Sequence, residues 1–237
     1  MDTVSIYFAD IDALREVTLY DSCYATLPLS VQNHIDTIKN IDKKRQSVAA
    51  YFLLYYGLKK LGNNSKHELI FSDTGKPQFE TVGLPYFSLS HSNQFAMCAF
   101  ANQEIGCDIQ FCRSYNGLLY KRALSSIEQN ALKQFDDLEL RAHVFNILWV
   151  LKESVIKAAG QNLHPNLDKL SVIDFEGDLL SQISYNNKSY SLEPINLENY
   201  RQFKQYSAAF SICTSVSHKV NSYYNHKIEI VDIGEAL

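Results

Sequence analysis

The 237-residue chain is short of the features that mark several large protein classes. Its five cysteines (Cys23, Cys98, Cys107, Cys112, Cys213) are odd in number and none stands in a CxxC pair. That argues against a disulfide framework and against a structural zinc site, which needs denser ligand spacing. Cys98 and Cys107 sit in apolar, strand-like runs, where a thiol behaves as a small hydrophobe. The longest apolar stretch, VAAYFLLYYGL at 48–58, is too short to cross a bilayer. The opening MDTVSIYFADID is acidic and has no basic segment before an apolar core, so it does not read as a secretory leader. A soluble, cytoplasmic protein without a membrane partner is expected. Positive charge is not in excess: the formal net charge is -4 and the pI is near 6.0, which removes the electrostatic reason to expect nucleic acid. There is no phosphate-binding GxxxxGK[ST], no GxGxxG and no GxSxG elbow, so an ordinary nucleotide site or a serine-hydrolase site is not indicated.

What is present is an ordered, aromatic-rich globule: 46% hydrophobic residues, 15 Tyr and 13 Phe, enough for one large core or two modest ones. VSIYFADI at 4–11 predicts an opening strand. Helical spacing follows, and Pro28 divides it, with LPLSVQNHI starting a new element. KKRQSVAAYFLLYYGLKKLG predicts a strong helix, with Asp42 as its cap and Gly62 as its stop. HELIFSDTGKPQF reads as a strand entering a Gly/Pro turn. PYFSLSHSNQFAMCAFANQEIGCDIQF reads as strands joined by polar loops at SHSN and ANQE. After Arg113 the pattern is helical through LLYKRALSSIEQNALKQF and LRAHVFNILWVLKESVIKAAG. It then returns to strands at LSVIDFEG, YSLEPINL, YSAAFSICTS and IEIVDIG. Each half therefore runs helices and then a small sheet, and no flexible linker divides them. The expected fold is α+β, with two lobes, 1–104 and 105–237, related by approximate duplication.

Chemistry-bearing residues fall into groups. In GCDIQ at 106–110, Asp108 and Gln110 are two apart and share one face of a strand; Asp108 there either meets a cation or serves a metal. In SLSHS, Ser88, Ser90 and Ser92 alternate with Leu89 and His91, and such donors suit a phosphate as well as they suit a purely structural loop. Lys43, Lys44, Arg45 and Lys76 are solvated surface taken singly, and phosphate partners taken together. In WVLKESVIKAAG, ~100° per residue puts Val144, Leu148, Leu151, Val155 and Ala159 on one core stripe. Glu153 and Lys157 fall on the other side, beside Trp149 and Ile156. Those two are either an i,i+4 ion pair or groups serving a metal or a reacting hydroxyl.

The ordered set Arg45, GKP (75–77), FSLSHS (87–92), IGCDIQ (105–110), SSIEQ (125–129) and WVLKESVIKAAGQNL (149–163) resembles the Sfp-type 4′-phosphopantetheinyl transferases. Their pattern runs GKP, FNxSHS, xGxDxE, FSxxE and WxxKEAxxKxxGxGL, and the likeness spans about residues 40–165. The resemblance implies two similar α+β lobes, pseudo-twofold related, with the active site at their interface. It implies Mg²⁺-dependent transfer of phosphopantetheine from coenzyme A to a serine of an apo carrier protein, releasing adenosine 3′,5′-bisphosphate. By motif position Asp108 and Glu153 are the implied metal carboxylates, with Gln110 standing where the family usually has Glu. Lys157 is the implied lysine at the reacting phosphate, so Asp108, Glu153 and Lys157 form the catalytic set. Lys76, Ser90 and His91 are the implied coenzyme A phosphate contacts, and Arg45 the implied adenosine-phosphate contact. The alternative is a non-catalytic module binding coenzyme A or a carrier protein. Phe111, Tyr115, Leu118 and Leu119 are either an exposed carrier-docking surface or part of the core. A monomer is expected, because a duplicated chain supplies its own cleft.

Overall fold

A computed structural model describes residues 3–114, 116–161, 167–214 and 224–237. In chain order the elements are β1 (Val4–Asp10), α1 (Val17–Thr26), α2 (Leu29–Asp36), α3 (Ile41–Lys60), β2 (Leu69–Phe71), β3 (Pro77–Phe79), β4 (Tyr86–Ser92), β5 (Phe95–Ala101) and β6 (Ile105–Phe111). They continue with α4 (Gly117–Ala123), α5 (Ser126–Lys133), α6 (Leu138–Ala158), β7 (Gln182–Tyr185), β8 (Lys188–Ser191), β9 (Glu193–Ile195), β10 (Tyr206–Thr214), β11 (His226–Val231) and α7 (Ile233–Ala236). The chain is α+β, and it divides into two compact units, residues 1–102 with 224–237, and residues 103–223. Among the described residues no helix is long and apolar enough to cross a membrane.

The first unit is a sheet in the order β11-β1-β5-β4 with a separate β2–β3 hairpin. Strand β1 runs antiparallel to β5, with Phe8 opposite Met97, and β5 runs antiparallel to β4. Val4, Ile6, Tyr7, Phe8 and Ala9 are all buried, so β1 reads as a continuous apolar run and not as an alternating one. Helix α3 packs across this sheet. Its cap is Asn40, whose side chain accepts from Lys43 N at 3.0 Å. Asp42, expected in that role, lies one position inside the helix, where its charge favours the N-terminal dipole, and it pairs with Arg45 at 2.9 Å. The end of the chain belongs here too. A division at 104/105 assigns residues 224–237 to the second lobe, but β11 pairs in parallel with β1 from Val4↔His226 to Ala9↔Val231. Backbone pairing of that length outweighs sequence proximity.

The second unit is a sheet in the order β6-β10-β8-β7, with β9 also on β10. The β6–β10 ladder runs from Ile105↔Ile212 to Phe111↔Tyr206. Helix α6 lies across both strands, and its core side joins Leu148, Leu151 and Val155 to Tyr120, Phe145, Val172 and Tyr190. Two expected features differ locally. SHSN, expected as a loop, is strand as far as Ser92, where β4 ends, and the turn begins at Asn93, whose φ is 49°. LSVIDFEG forms no strand but a tight turn. Asp174 Oδ1 accepts from the backbone N–H groups of Glu176, Gly177 and Asp178, an Asx arrangement that competes with strand pairing. Only an isolated Ile173↔Leu179 bridge remains there.

Candidate active site

Strand β6 presents Gly106, Asp108 and Gln110 on alternate positions of one face. At Gly106 the strand meets helix α6 closely. A Cβ there would lie 1.9 Å from Ser154 O and 2.3 Å from Ala158 N, so only glycine allows this approach. The close packing brings Asp108 to the helix, where Lys157 Nζ donates to its Oδ1 at 2.7 Å. Asp108 is buried and Lys157 half-buried. One turn back along α6, Glu153 is buried as well, and its Oε1 has no hydrogen-bond partner.

A buried carboxylate with an unpartnered oxygen is costly to ionise. Burial first, and the neighbouring Asp108 charge second, push the Glu153 carboxyl up to about 7, with Lys157 opposing. Lys157 moves upward as well: burial acts to lower it, but Asp108 and Glu153 among its neighbours hold the proton more strongly. When all three are ionised, one cation stands among two anions, a set that is one positive charge short. The helix face that carries Glu153 is not solvent surface, since Ile156 is buried too.

Gln110 shares the Asp108 face, and its amide nitrogen donates to Phe111 O at 3.1 Å. The remaining candidates lie on the first unit. Ser90 is buried on β4 opposite Met97, and His91 is exposed opposite Ala96. Lys76 stands in the β2–β3 turn, where its backbone N–H donates to Ser72 Oγ at 3.0 Å. Arg45 lines a polar cavity of about 220 Å³ with Arg15, Asp12, Asp42, Gln46 and Gln94, and each arginine there is paired with an aspartate.

Three residues around this cluster had no role in the sequence reading beyond their motif letters. Lys152 is 1% exposed and Glu128 is 0% exposed, and they form an ion pair. Lys152 also donates to Ala123 O at 2.8 Å and Leu167 O at 3.1 Å. Glu128 accepts from Ser125 N and Val172 N. Ser154 shares a 2.7 Å hydrogen bond with Ser211 of β10. The signal for the first pair is the S-x-x-E spacing of Ser125 and Glu128, which forms a capping box; its second use, as a buried counter-ion, has no local pattern.

Two carboxylates of which one oxygen is unpartnered, with a lysine beside them, suit a hard divalent cation and a phosphate ligand. Comparison with known proteins bears on the same stretch. Residues 104–211, the stretch that holds Asp108, Glu153 and Lys157, match the family model of the 4′-phosphopantetheinyl transferase superfamily. Among individual relatives, the chain is 35% identical to the 4′-phosphopantetheinyl transferase Sfp of Bacillus subtilis over 109 residues, 45% of this chain and 48% of that protein. It is 25% identical to the L-aminoadipate-semialdehyde dehydrogenase-phosphopantetheinyl transferase of Saccharomyces cerevisiae over 225 residues, 89% of this chain and 80% of that one. It is 28% identical to the 4′-phosphopantetheinyl transferase AcpT of Salmonella typhimurium over 95 residues, 39% and 50%. The matched stretches thus span about half the length of the bacterial relatives.

Proposed function

We propose that the protein is a 4′-phosphopantetheinyl transferase, moving the phosphopantetheine arm of coenzyme A to a serine of an apo carrier protein. The observation that carries the reading is the meeting of Asp108, Lys157 and the Glu153 carboxylate, whose Oε1 has no hydrogen-bond partner, on the β6–α6 contact. Asp108 and Glu153, with the Gln110 amide oxygen as a neutral third donor, would hold Mg²⁺. The metal would supply positive charge to the pyrophosphate of coenzyme A.

The chain's own residues account for the rest. Lys157 is held charged by Asp108 and supplies a fixed cation at the reacting phosphate, where charge neutralisation matters more than covalent catalysis. Its ion pair keeps the ammonium oriented, so little reorganisation is needed when a phosphate arrives. The serine Oγ–phosphorus bond forms as the phosphorus–oxygen bond to adenosine 3′,5′-bisphosphate breaks, and the serine proton leaves to a base. Glu153 is our assignment for that base, through the carboxylate oxygen that does not hold the metal. Burial among Ile156 and its neighbours keeps bulk water from its side of the helix. Arg45, Lys76, Ser90 and His91 are assigned to the coenzyme A phosphates, as donors of the type that anions take.

For the carrier we propose the surface of α4, where Leu118 is 76% and Leu119 41% exposed and Lys121 lines an adjoining cleft of about 380 Å³. Phe111 is half-buried against Tyr206, and Tyr115 lies outside the described residues. A monomer in a reducing cytoplasm is the proposed working state, and five cysteines outside any disulfide accord with it.

The test is direct. Protein, Mg²⁺, coenzyme A and an apo carrier are incubated, and the carrier is weighed by mass spectrometry. A phosphopantetheine increment on its serine is expected. No increment across several carrier types, with coenzyme A still bound, identifies a non-catalytic binding module.

A further inference from the structure

Residues 152–154 of α6 are three consecutive buried polar side chains. At ~100° per residue they leave the helix in three directions, with Lys152 and Ser154 on either side of Glu153. Lys152 reaches Glu128, Ala123 O and Leu167 O. Glu128 in turn holds Ser125 N and Val172 N. Ser154 reaches Ser211, which is fully buried on β10 opposite Gly106. The helix is thus tied to the α4–α5 corner and the 167–172 segment on one side, and to the sheet on the other. The family pattern has Ala where this chain has Ser154, so the second tie belongs to this chain's own sequence.

We infer that Lys152 and Ser154 are positioning residues that fix the rotation of α6, so that Glu153 is presented towards Asp108. The inference rests on the proposed reading of Asp108 and Glu153 as a metal-binding pair. Apolar packing alone restrains a helix weakly against small rotations, because neighbouring side chains shift together. Directional hydrogen bonds to a buried ammonium and a buried hydroxyl restrain it more sharply. A rotation of ~10° carries a carboxylate ~6 Å from the helix axis through ~1 Å, and an offset of that size at a site is enough to cost ~100-fold in rate. The Gly106 contact sets how close the helix comes; the two ties set which way it faces.

A paired replacement separates positioning from stability. Removing one partner of a buried ion pair strands the other, whereas replacing both by apolar residues of similar volume is often neutral or stabilising. Lys152→Met with Glu128→Leu therefore removes the tie while keeping the core filled. In wild type, Mn²⁺ binding followed by electron paramagnetic resonance, without coenzyme A, reports the Asp108–Glu153 pair. For the double variant we expect a lowered melting temperature, since Ala123 O, Leu167 O, Ser125 N and Val172 N each lose a partner, together with Mn²⁺ affinity reduced ~10-fold or more, kcat reduced ~10- to 100-fold, and KM for coenzyme A unchanged. A merely structural pair moves only the melting temperature. If this variant does not fold, Ser154→Ala with Ser211→Ala, which deletes two hydroxyls, decides the matter, with ~3- to 10-fold losses of Mn²⁺ affinity and kcat expected. If wild type binds no Mn²⁺, the metal reading falls and the ties are judged by a crystal structure of the folded double variant. A rotated α6 with the Lys157–Asp108 contact lengthened beyond 2.7 Å upholds them. Wild-type Mn²⁺ affinity and kcat in a folded double variant, or an unrotated helix, overturns the inference.

Discussion

Each unit lays one long helix across an antiparallel pair made by its first strand and a later one, α3 on β1 and β5, α6 on β6 and β10. Each helix comes close because a glycine sits in the contact, yet the two glycines belong to opposite partners. In the first unit Gly57 is on the helix, and a Cβ there would meet the rings of Phe100 at 2.5 Å and Tyr7 at 2.8 Å. In the second, Gly106 is on the strand, and a Cβ there would meet helix backbone. The first contact is apolar and aromatic, with Tyr7 and Phe100 packed edge to face at 6.0 Å. Rings turn, so this contact is adjustable. The second carries Asp108, Lys157, Glu153, Ser154 and Ser211, and backbone against backbone fixes how close the helix comes. The same packing plan serves a core in one unit and a chemical cluster in the other.

The largest break in that comparison is Asp108→Asn. It removes the counter-charge of Lys157 and one carboxylate of the pair, and loss of a fixed electrostatic group at a reacting centre costs on the order of 10³-fold or more. Transfer measured by carrier mass should fall by that amount while the protein stays folded by circular dichroism. Activity within tenfold of wild type would remove Asp108 from the site. Next comes the pair of glycines. Gly106→Ala should displace α6 and cost ~1–3 kcal/mol by overpacking, together with most of the transfer rate. Gly57→Ala incurs a similar clash, but helix propensity returns ~1 kcal/mol, and transfer should be within about threefold of wild type. Calorimetry and the transfer assay on both variants test it. Equal loss of activity from the two would mean that the contacts do not differ in kind.

Much of this plan is readable in the chain's pattern. Helices α3 and α6 and strands β1, β5 and β6 announce themselves by apolar period and composition, because their burial is decided locally. Two misreadings have local causes. SHSN looks like a loop by composition, but its first three residues continue a strand period, with Ser88, Ser90 and Ser92 buried and His91 outward. LSVIDFEG has strand composition, but one Asp174 oxygen gathers three backbone N–H groups into a turn. The return of β11 to β1 joins residues more than 200 positions apart, and no window along the chain contains that pairing. In the cluster, Asp108, Glu153 and Lys157 stand out because charged residues interrupt apolar runs. Lys152 interrupts the same run, yet its partner Glu128 lies 24 residues away and cannot be told from a cap without coordinates. Gly106 is similarly silent: its reason is the backbone of Ser154 and Ala158.

The smallest expected effect sharpens the contrast by pH. Glu153 has its carboxyl raised to about 7 from an ordinary 4.5, by burial and then by Asp108. Between those values the folded chain holds a proton that the unfolded chain has lost, so unfolding releases a proton and stability declines as pH rises. The contribution is fully present below about 4.5 and is lost through about 7. Glu153→Gln cannot ionise, so it escapes this loss. Its melting temperature should match wild type near pH 5 and exceed it by several degrees at pH 8, measured without divalent metal. Added Mg²⁺ should then raise the wild-type value more at pH 8 than at pH 5, since a ligand of the ionised carboxylate stabilises the state it binds, and should leave Glu153→Gln nearly unmoved. Among the groups with resolved shifts in the core of the first unit, Tyr51 and Tyr55 are pushed up by burial, well above the ordinary phenol value, and stay neutral over this range. A Glu153→Gln difference that stays flat from pH 5 to 8 would show that the carboxylate is already satisfied when ionised, and would take away the reason for assigning it a metal.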